Sequence, residues 1–397
     1  MNQSMATVSE PVSGAPPADR HLPVSQSPSR LVSLDVFRGI TIAGMLLVNN
    51  PGSWGAIYPP LKHAPWHGWT PTDLIFPFFL FIVGVAMTFS FGKLLERGAT
   101  RRELLLKTAK RSALIFLVGL VLHSFPWWSF DYSVLRIPGV LQRIAIAYFF
   151  AAAIYLSTGL RGQISAVAAL LLVYWAVQVL APVPGIGYSL LLPGLDFGSY
   201  VDRAVFTTRH LWNQTTTWDP EGLVSTIPAI GSALLGGFAG TWIRTNRSQL
   251  EKVVGLFVVG SAGIIAGVVW GWLFPINKNL WTSSYVLFTA GIACHFLAVC
   301  YWLVDIKGYR KWATPFVIYG TNAIAAYFLS GIFARILNLV KVASLDGPIA
   351  LKTYIFRTFY ASWLEPINAS LAYAITFVLL WLGIMTIFYK KRVFIKL

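Results

Sequence analysis

Runs of about twenty mostly apolar residues recur along almost the whole chain, separated by short polar segments. A helix of that length crosses the roughly 30 Å hydrocarbon core of a bilayer, where a helix satisfies its own backbone hydrogen bonds. The pattern predicts an all-α polytopic membrane protein, a helical bundle of about ten transmembrane helices. The predicted spans are residues 31–50, 70–92, 112–126, 138–157, 164–182, 223–243, 252–273, 282–303, 314–335 and 369–389.

Composition supports a lipid environment. Hydrophobic residues make up 56% of the chain, charged residues make up 12%, and the mean hydropathy is +0.64. A soluble domain carries about twice that share of charge. Residues 1–30 contain Pro, Ser, Ala and Gln without an apolar core. We therefore predict a disordered cytoplasmic tail over residues 1–30 and one transmembrane domain over residues 31–397.

Lys and Arg are concentrated in alternate loops. They crowd residues 93–111, 244–252 and 304–311 and the segment after the last span, all on one side of the predicted topology. Because basic loops stay preferentially in the cytoplasm, we predict that both termini are cytoplasmic. This bias, together with anionic lipid headgroups, explains the net charge of +16, so we predict no nucleic-acid partner.

Two histidines and an acid lie in the outer loop between the first and second spans. The sequence TPTD at residues 70–73 is a helix start, so Asp73 is either a helix cap or a functional acid. His63 and His67 are four residues apart, but Pro65 lies between them and no further ligand follows, so we predict no metal site. A histidine here is either a membrane-boundary residue among tryptophans or a catalytic base or nucleophile.

Polar side chains also occur inside the apolar spans. Asn49 ends the first span beside the histidine loop, where an amide can donate to a developing oxyanion. Gln142 and Arg143 lie a turn or more inside the fourth span. An intramembrane arginine marks a functional cavity by default, and a phosphate would suit it. Asp35 and Arg38, one helical turn apart at the inner end, most simply form an ion pair.

Two more polar groups lie at the outer ends of later spans. Asp219 and Glu221 flank the start of the sixth span, where they either cap the helix or hold an ammonium group. Lys278, Trp281 and Ser284 crowd the entry to the eighth span. Polar side chains at this position need a wet cavity or buried partners.

Several of these segments together resemble a known family. The similar segments, in chain order, are SLDVFRG, the asparagine that ends the first span, KHAPWHGWTPTDLIFPFFLFIVG, RIPGVLQRIAIAY, DPEGLVSTIPAI and INKNLWTSSYVLFTAG. They resemble the catalytic membrane region of the heparan-alpha-glucosaminide N-acetyltransferases and their bacterial relatives. The similarity runs from about residue 31 to the C-terminus, and the histidine loop and the NKNLW segment are its specific parts.

The resemblance implies an acetyl-CoA-dependent transmembrane acetyltransferase. Such an enzyme acetylates the free amine of a glucosamine unit on the far side of the membrane, with acetyl groups drawn from the cytoplasm. The resemblance also implies that His63 is the catalytic histidine, Asn49 the neighbouring site asparagine and Asp73 the acidic partner. Because only residues 1–30 precede the first span, we expect a bacterial inner-membrane protein whose acceptor is glucosamine, an amino sugar fragment or a cell-wall glycan, rather than heparan sulfate.

Under this hypothesis some of the other site residues bind the acetyl donor and the rest bind the acetyl acceptor. The predicted acetyl-CoA contacts are Arg143, Gln142, Arg38, Lys278 and Ser284, and the predicted acceptor contacts are Asp219, Glu221, Trp66 and Trp281. The expected partners are an amino sugar or glycan acceptor and the lipid bilayer, and a homodimer is one candidate assembly. Two alternative functions are a secondary transporter for an amino sugar or oligosaccharide and an O-acetyltransferase of surface polysaccharide.

Overall fold

A computed structural model describes residues 31–344 and 347–395, which are almost entirely helical. The predicted tail at residues 1–30 lies outside the described residues. Two short antiparallel hairpins are β1 (Pro182–Val183) with β2 (Gly187–Tyr188) and β3 (Lys341–Val342) with β4 (Ile349–Ala350). The α-helices are α1 (Val32–Asn49), α2 (Ile75–Glu96), α3 (Arg101–His123), α4 (Val140–Ser157), α5 (Leu160–Leu180), α6 (Phe197–Phe206), α7 (Thr226–Ile243), α8 (Gln249–Gly271), α9 (Ser283–Cys300), α10 (Thr314–Thr321), α11 (Ala323–Leu339), α12 (Leu351–Phe359) and α13 (Pro366–Lys390).

Eight helical segments in the described part of the chain are long and apolar enough to cross a membrane, or nine if the bent pair α10 and α11 counts as one span. The prediction of an all-α, multi-pass membrane protein is therefore confirmed, with slightly fewer clear spans than the sequence indicated. The eight segments are Val32–Asn49, Pro71–Glu96, Val140–Ser157, Leu160–Leu180, Thr226–Ile243, Gln249–Gly271, Ser283–Ile306 and Pro366–Lys390.

Two predicted spans have a different form in the structure. Residues 112–126 fall mainly in the second half of α3, whose first half is strongly basic, so the helix as a whole is not an apolar span. Residues 314–335 are not one helix, because α10 and α11 meet at an angle of 82°. The side chain of Asn322, at this bend, hydrogen-bonds the backbone of Val393 and Ile395 and so joins the bend to the segment after α13.

Capping boxes begin three of the helical segments. Thr70 with Asp73, Thr100 with Glu103, and Ser248 with Glu251 form reciprocal hydrogen bonds between side chain and backbone. This arrangement satisfies N–H groups that have no partner within the helix. The first pair fixes Asp73 in a single 3₁₀ turn, Pro71–Leu74, that leads directly into α2.

Helices α2 and α7 form the centre of the bundle and touch through glycines. A Cβ atom on Gly84 would lie 1.8 Å from the carbonyl oxygen of Ala233, and one on Gly236 would lie 2.0 Å from that of Phe81. Their apolar segments are mostly buried, whereas those of α5, α8 and α13 are mostly exposed. The loops that lead into α2 and α9 contact each other through Gly68 and Ile276, and Arg143 of α4 joins the loop before α9 to the loop before α7.

Candidate active site

The side chains of His63 and Asp73 meet at the start of α2. His63 Nδ1 lies 2.6 Å from Asp73 Oδ1, and the other carboxylate oxygen accepts hydrogen bonds from the backbone N–H groups of Ala64 and Thr70, each at 3.0 Å. Asp73 is buried, whereas the His63 side chain is 47% exposed. Because an ionised carboxylate only accepts hydrogen bonds, Nδ1–H of His63 is the donor in this contact, and the neutral form of the ring then has its lone pair on Nε2.

Lys278 places an amine beside this pair. Its Nζ lies 3.4 Å from both Nδ1 and Nε2 of His63, across 215 positions of sequence. Burial lowers the pKa of Lys278, and the nearby charge of Arg143 acts in the same direction, whereas Glu221 and Asp73 oppose the shift. The amine is therefore a better proton donor than an ordinary lysine.

The loop before α9 holds Lys278 in a tightly bonded turn. Asn277 Oδ1 accepts from the backbone N–H of Leu280 at 2.9 Å, and the backbone N–H of Asn277 donates to Thr282 Oγ1 at 3.1 Å. Trp281 is fully buried and has a φ of +53°, in the left-handed region that non-glycine residues rarely occupy. The turn is thus locked by its own side chains.

Direct contacts join this turn to the histidine loop. The backbone N–H of Gly68 donates to the carbonyl oxygen of Ile276 at 2.8 Å, and His67 Nδ1 lies 3.3 Å from Asn277 Nδ2. Burial lowers the pKa of His67, which favours the neutral ring. The Tyr285 hydroxyl donates to the carbonyl oxygen of Asp73. His63, Asp73 and Lys278 are therefore positioned by one connected framework.

Arg143 lies beneath this framework with unused hydrogen-bonding capacity. Its side chain is 1% exposed, and its guanidinium lies over the Trp281 ring, 4.9 Å from the centroid. Nη2 donates to Ser225 Oγ and to the carbonyl oxygen of Gly222, whereas Nε and Nη1 have no partner within residues 31–344 and 347–395. Buried N–H groups of a cation without acceptors are costly, so this position favours a ligand oxygen or anion.

Gln142, the neighbour of Arg143, is also buried, and neither atom of its amide has a partner in the described part of the chain. It packs closely on α3, because a Cβ atom on Gly119 would lie 2.5 Å from Gln142 Oε1. Gln142 and Arg143 together offer unsatisfied donors and an acceptor, which suit a ligand that carries polar or anionic oxygen atoms.

Asp219 and Glu221 are paired with an arginine to which the sequence analysis gave no role. Arg136 donates to Asp219 through Nε at 2.8 Å and Nη2 at 2.6 Å, and Nη2 also lies 2.6 Å from Glu221 Oε2. Burial raises the pKa of Glu221, but the charges of Arg136, Arg143 and Lys278 together outweigh that effect and hold the pKa below its ordinary value. Because the contact crosses more than 80 positions, no local spacing indicated it.

The other predicted site residues make no hydrogen bond or ion pair with His63 in the described part of the chain. Asn49 is exposed at the end of α1, and its amide has no hydrogen bond to any described residue. Ser284 Oγ donates to the carbonyl oxygen of Phe274, and Trp66 Nε1 donates to that of Leu191 at 2.7 Å. Arg38, in the first half of α1, lies 3.1 Å from Asp35 and 3.2 Å from the carbonyl oxygen of Gly320.

Comparison with known proteins now places the chain in a family. A family model described as "Heparan-alpha-glucosaminide N-acetyltransferase, catalytic" matches residues 30–266. The human heparan-alpha-glucosaminide N-acetyltransferase is 32% identical over 357 residues, covering 77% of this chain and 53% of the human protein. The mouse protein is 30% identical over 353 residues, covering 76% and 53%. This chain thus spans about half the length of these relatives.

The region matched by the family model contains His63, Asp73 and Arg143. Lys278 lies beyond that region in the sequence, but the fold places it next to His63. The resemblance predicted from the histidine loop is confirmed. The chain belongs to the heparan-alpha-glucosaminide N-acetyltransferase family.

Proposed function

We propose that this protein is a membrane-embedded acetyltransferase that uses cytoplasmic acetyl-CoA to N-acetylate a glucosamine-type amino sugar at the outer, periplasmic face of an inner membrane. In this proposal both termini are cytoplasmic, in keeping with the basic loops. Family membership and the names of the human and mouse relatives support the reaction class. The observation that carries the proposal is the 2.6 Å contact between the buried Asp73 carboxylate and the exposed His63 ring.

The chemistry starts from the lone pair on His63 Nε2. In a ternary complex, Nε2 accepts a proton from the acceptor amine while the amine nitrogen attacks the thioester carbonyl carbon. The C–N bond forms, the C–S bond breaks, and the proton passes to the departing thiolate of CoA. Asp73 holds the Nδ1–H tautomer and stabilises the imidazolium that forms, as a carboxylate does for histidine in other acyl transfers.

A two-step route uses the same residues. Nε2 of His63 attacks the thioester carbonyl, so that an acetyl-imidazolium forms, the C–S bond breaks and the departing CoA thiolate takes a proton from the Lys278 ammonium. The acceptor amine then attacks the acetyl carbon, the C–N bond forms, the imidazole leaves with its lone pair restored, and the proton lost by the amine passes to the neutral Lys278 amine. Exposure of the ring suits this route, because donor and acceptor need not be present together.

Lys278 and Asn49 supply charge stabilisation in either route. The lowered pKa of Lys278 makes its ammonium a suitable donor to the departing thiolate, at a position 3.4 Å from the His63 ring. The amide of Asn49 has no hydrogen bond among the described residues and is available to the developing oxyanion. These roles follow from proximity to His63 for Lys278 and from the family resemblance for Asn49.

Acetyl-CoA is a substrate in this reaction, and we propose that Arg143 and Gln142 bind it through their unsatisfied polar atoms. Lys278, Arg38 and Ser284 remain proposed donor contacts, although the hydroxyl of Ser284 is already bonded within its own turn. Asp219, Glu221, Trp66 and Trp281 remain proposed acceptor contacts. Asp219 and Glu221 are paired with Arg136, and Trp281 is fully buried. We therefore propose that these three residues shape the acceptor site and do not touch the acceptor themselves.

The test is release of CoA thiol by purified protein, with and without glucosamine. His63→Ala should abolish release, whereas His295→Ala, the same change at a histidine of α9 that hydrogen-bonds α8, should retain most of it. Unchanged release by His63→Ala would overturn the assignment. An acetylated protein that is labile to hydroxylamine, formed with acetyl-CoA alone, would establish the two-step route.

A secondary transporter is the second candidate, and one observation favours it. The 82° bend between α10 and α11 is a broken helix of the kind that forms ion and substrate sites in transporters. Uptake of labelled glucosamine into proteoliposomes without acetyl-CoA would support transport. An O-acetyltransferase would release CoA equally, but its product would be a hydroxylamine-labile ester instead of a stable amide.

A further inference from the structure

An apolar groove runs between α3 and α4 on the outside of the bundle. It has a volume of about 410 Å³. The lining residues are Ser112, Ala113, Phe116, Leu117, Ala145, Ile146, Phe149 and Phe150.

One end of the groove is strongly basic. Lys107, Lys110 and Arg111 are all exposed, in the turn of α3 that precedes the groove. Lys110 lies three and seven residues before Ala113 and Leu117, so these residues share one face of the helix. The guanidinium of Arg111 lies over the Tyr148 ring of α4, 5.6 Å from its centroid, which holds it beside the groove.

A buried hydroxyl lies at the boundary between the basic and apolar parts. Ser112 is only 7% exposed, and its Oγ has no hydrogen-bond partner in the part of the chain that the structure describes. Ser112 is one of the residues that line the groove, and a buried hydroxyl normally finds a partner, so a ligand oxygen at this boundary would satisfy it. Along α3 the order is therefore cation, hydroxyl donor and apolar channel.

We propose that this groove binds one anionic glycerophospholipid. The phosphate lies against Lys110 and Arg111, an ester carbonyl accepts from Ser112 Oγ, and an acyl chain fills the channel lined by α3 and α4. The order of groups in the lipid matches the order along the helix. Basic residues beside a membrane helix attract anionic headgroups, and the hydrocarbon groove supplies the contact for the chain.

The charge of the groove also favours lipid over a second copy of the chain. A two-fold interface would bring each protomer's copy of this patch against the same surface of its partner. Cations such as Lys110 and Arg111 close to the two-fold axis would then repel their counterparts. A phosphate neutralises them instead. This inference does not depend on the acetyltransferase proposal.

Native mass spectrometry of the full-length protein, titrated with phosphatidylglycerol or phosphatidylcholine of identical acyl chains, tests the site. We expect one tightly held phosphatidylglycerol per chain and a preference over phosphatidylcholine that falls roughly tenfold or more in Lys110→Glu/Arg111→Glu. Ala113→Trp, which fills the groove, should remove retention of both lipids. Ser112→Ala should weaken the binding of both lipids equally, because both lipids contain the ester group.

The matched control is Lys307→Glu/Lys311→Glu, which makes the same charge change at exposed sites distant in sequence from the groove. Equal loss of preference in the control, or equal binding of the two lipids by the native protein, would overturn the proposal. Competition by inorganic phosphate without any effect of Ala113→Trp would identify an adventitious anion and overturn it as well. A dimer that dissociates in Ala113→Trp would assign the groove to a second copy and also overturn it.

Discussion

The amine of Lys278 lies 3.4 Å from both ring nitrogens of His63, and burial lowers the pKa of that amine. The proposed mechanism uses the ammonium form, so the native rate of CoA release should fall as pH rises through the lowered pKa. Lys278→Met should reduce kcat about 100-fold at neutral pH. Lys278→Arg should keep part of the activity and shift the alkaline fall to higher pH, because a guanidinium retains its proton.

A pH–rate profile of CoA release over neutral and alkaline buffers checks this prediction. The informative comparison is between the native protein and Lys278→Arg, whose side chains are both cationic near neutrality. The same alkaline fall in both proteins would exclude Lys278 as the titrating group.

Asp73 should act on rate through His63. In Asp73→Asn the amide can donate to Nδ1 and so favour the wrong ring tautomer, and we expect kcat to fall about 10²- to 10⁴-fold with little change in the KM for acetyl-CoA. Asp131→Asn is the matched control, because Asp131 also caps a 3₁₀ turn, by accepting from the backbone N–H of Ser133. Steady-state kinetics would refute the role if both variants behaved like the native protein.

The two asparagines at the end of α1 provide a matched pair. Asn49 is exposed, and its amide makes no hydrogen bond to the described residues, whereas Asn50 Nδ2 donates to the carbonyl oxygen of Leu46 at 2.8 Å. If Asn49 stabilises the oxyanion, Asn49→Ala should lower kcat about 10²- to 10³-fold, and Asn50→Ala should have a much smaller effect. Equal losses measured for the two variants would indicate a structural role for both.

Removal of Arg136 should destabilise the fold. Arg136→Met leaves the buried carboxylates of Asp219 and Glu221 without their cation, and we expect a loss of about 3–5 kcal/mol in the free energy of unfolding. The exposed pair of Arg244 with Glu96 is the control, since Glu96 is 71% exposed and Glu96→Gln should cost about 0–1 kcal/mol. Thermal unfolding in detergent measures both changes.

The pH dependence of this effect has a defined sign. In the native protein Arg136 holds the pKa of Glu221 low, so this carboxylate stabilises the fold above its unfolded pKa and loses that contribution as pH falls. In Arg136→Met the unpaired carboxyl groups should have raised pKa values, so the deficit relative to the native protein should shrink as pH falls. A deficit that stays constant with pH would contradict the ion-pair explanation.

Replacement by alanine should change stability in opposite directions at two glycines, Gly84 and Gly383. Gly84→Ala places a Cβ atom 1.8 Å from the carbonyl oxygen of Ala233, so α2 and α7 must separate, and we expect a loss of about 1–3 kcal/mol. Gly383, within α13, has no described atom within 4 Å of such a Cβ atom. Gly383→Ala should be neutral or raise stability by up to about 1 kcal/mol, because alanine favours the helix. Thermal unfolding measures both changes, and equal shifts in melting temperature for the two variants would refute the proposed clash between α2 and α7.

Local sequence signals predicted much of the fold and part of the site. Apolar runs marked the spans because a helix in lipid must be apolar over its whole crossing. The Thr70–Asp73 cap placed Asp73 at a helix start, and the structure shows that one carboxylate oxygen caps the turn while the other meets His63. The structure therefore shows Asp73 as a helix cap, and its role as a functional acid stays a prediction that the contact with His63 supports.

Contacts between segments that are distant in the sequence could not be predicted from local patterns. The approach of Lys278 to His63 and the pairing of Arg136 with Asp219 depend on how helices pack, which no spacing in the chain reveals. The bend at Asn322 was missed because the residues around it remain apolar, so hydropathy continued through the break. Residues 112–126 were predicted as a span because the second half of α3 is apolar, although the helix begins with a charged half.

Trp281 shows how the corner beside Lys278 keeps its shape. A bulky residue in the left-handed region costs roughly 1–3 kcal/mol, and it persists only where surrounding contacts over-determine the backbone. Folding supplies that free energy, so we expect the corner to be rigid before any ligand binds. Binding there should require little conformational adjustment, and changes in substrate preference should come from replacing residues of the softer outer loops.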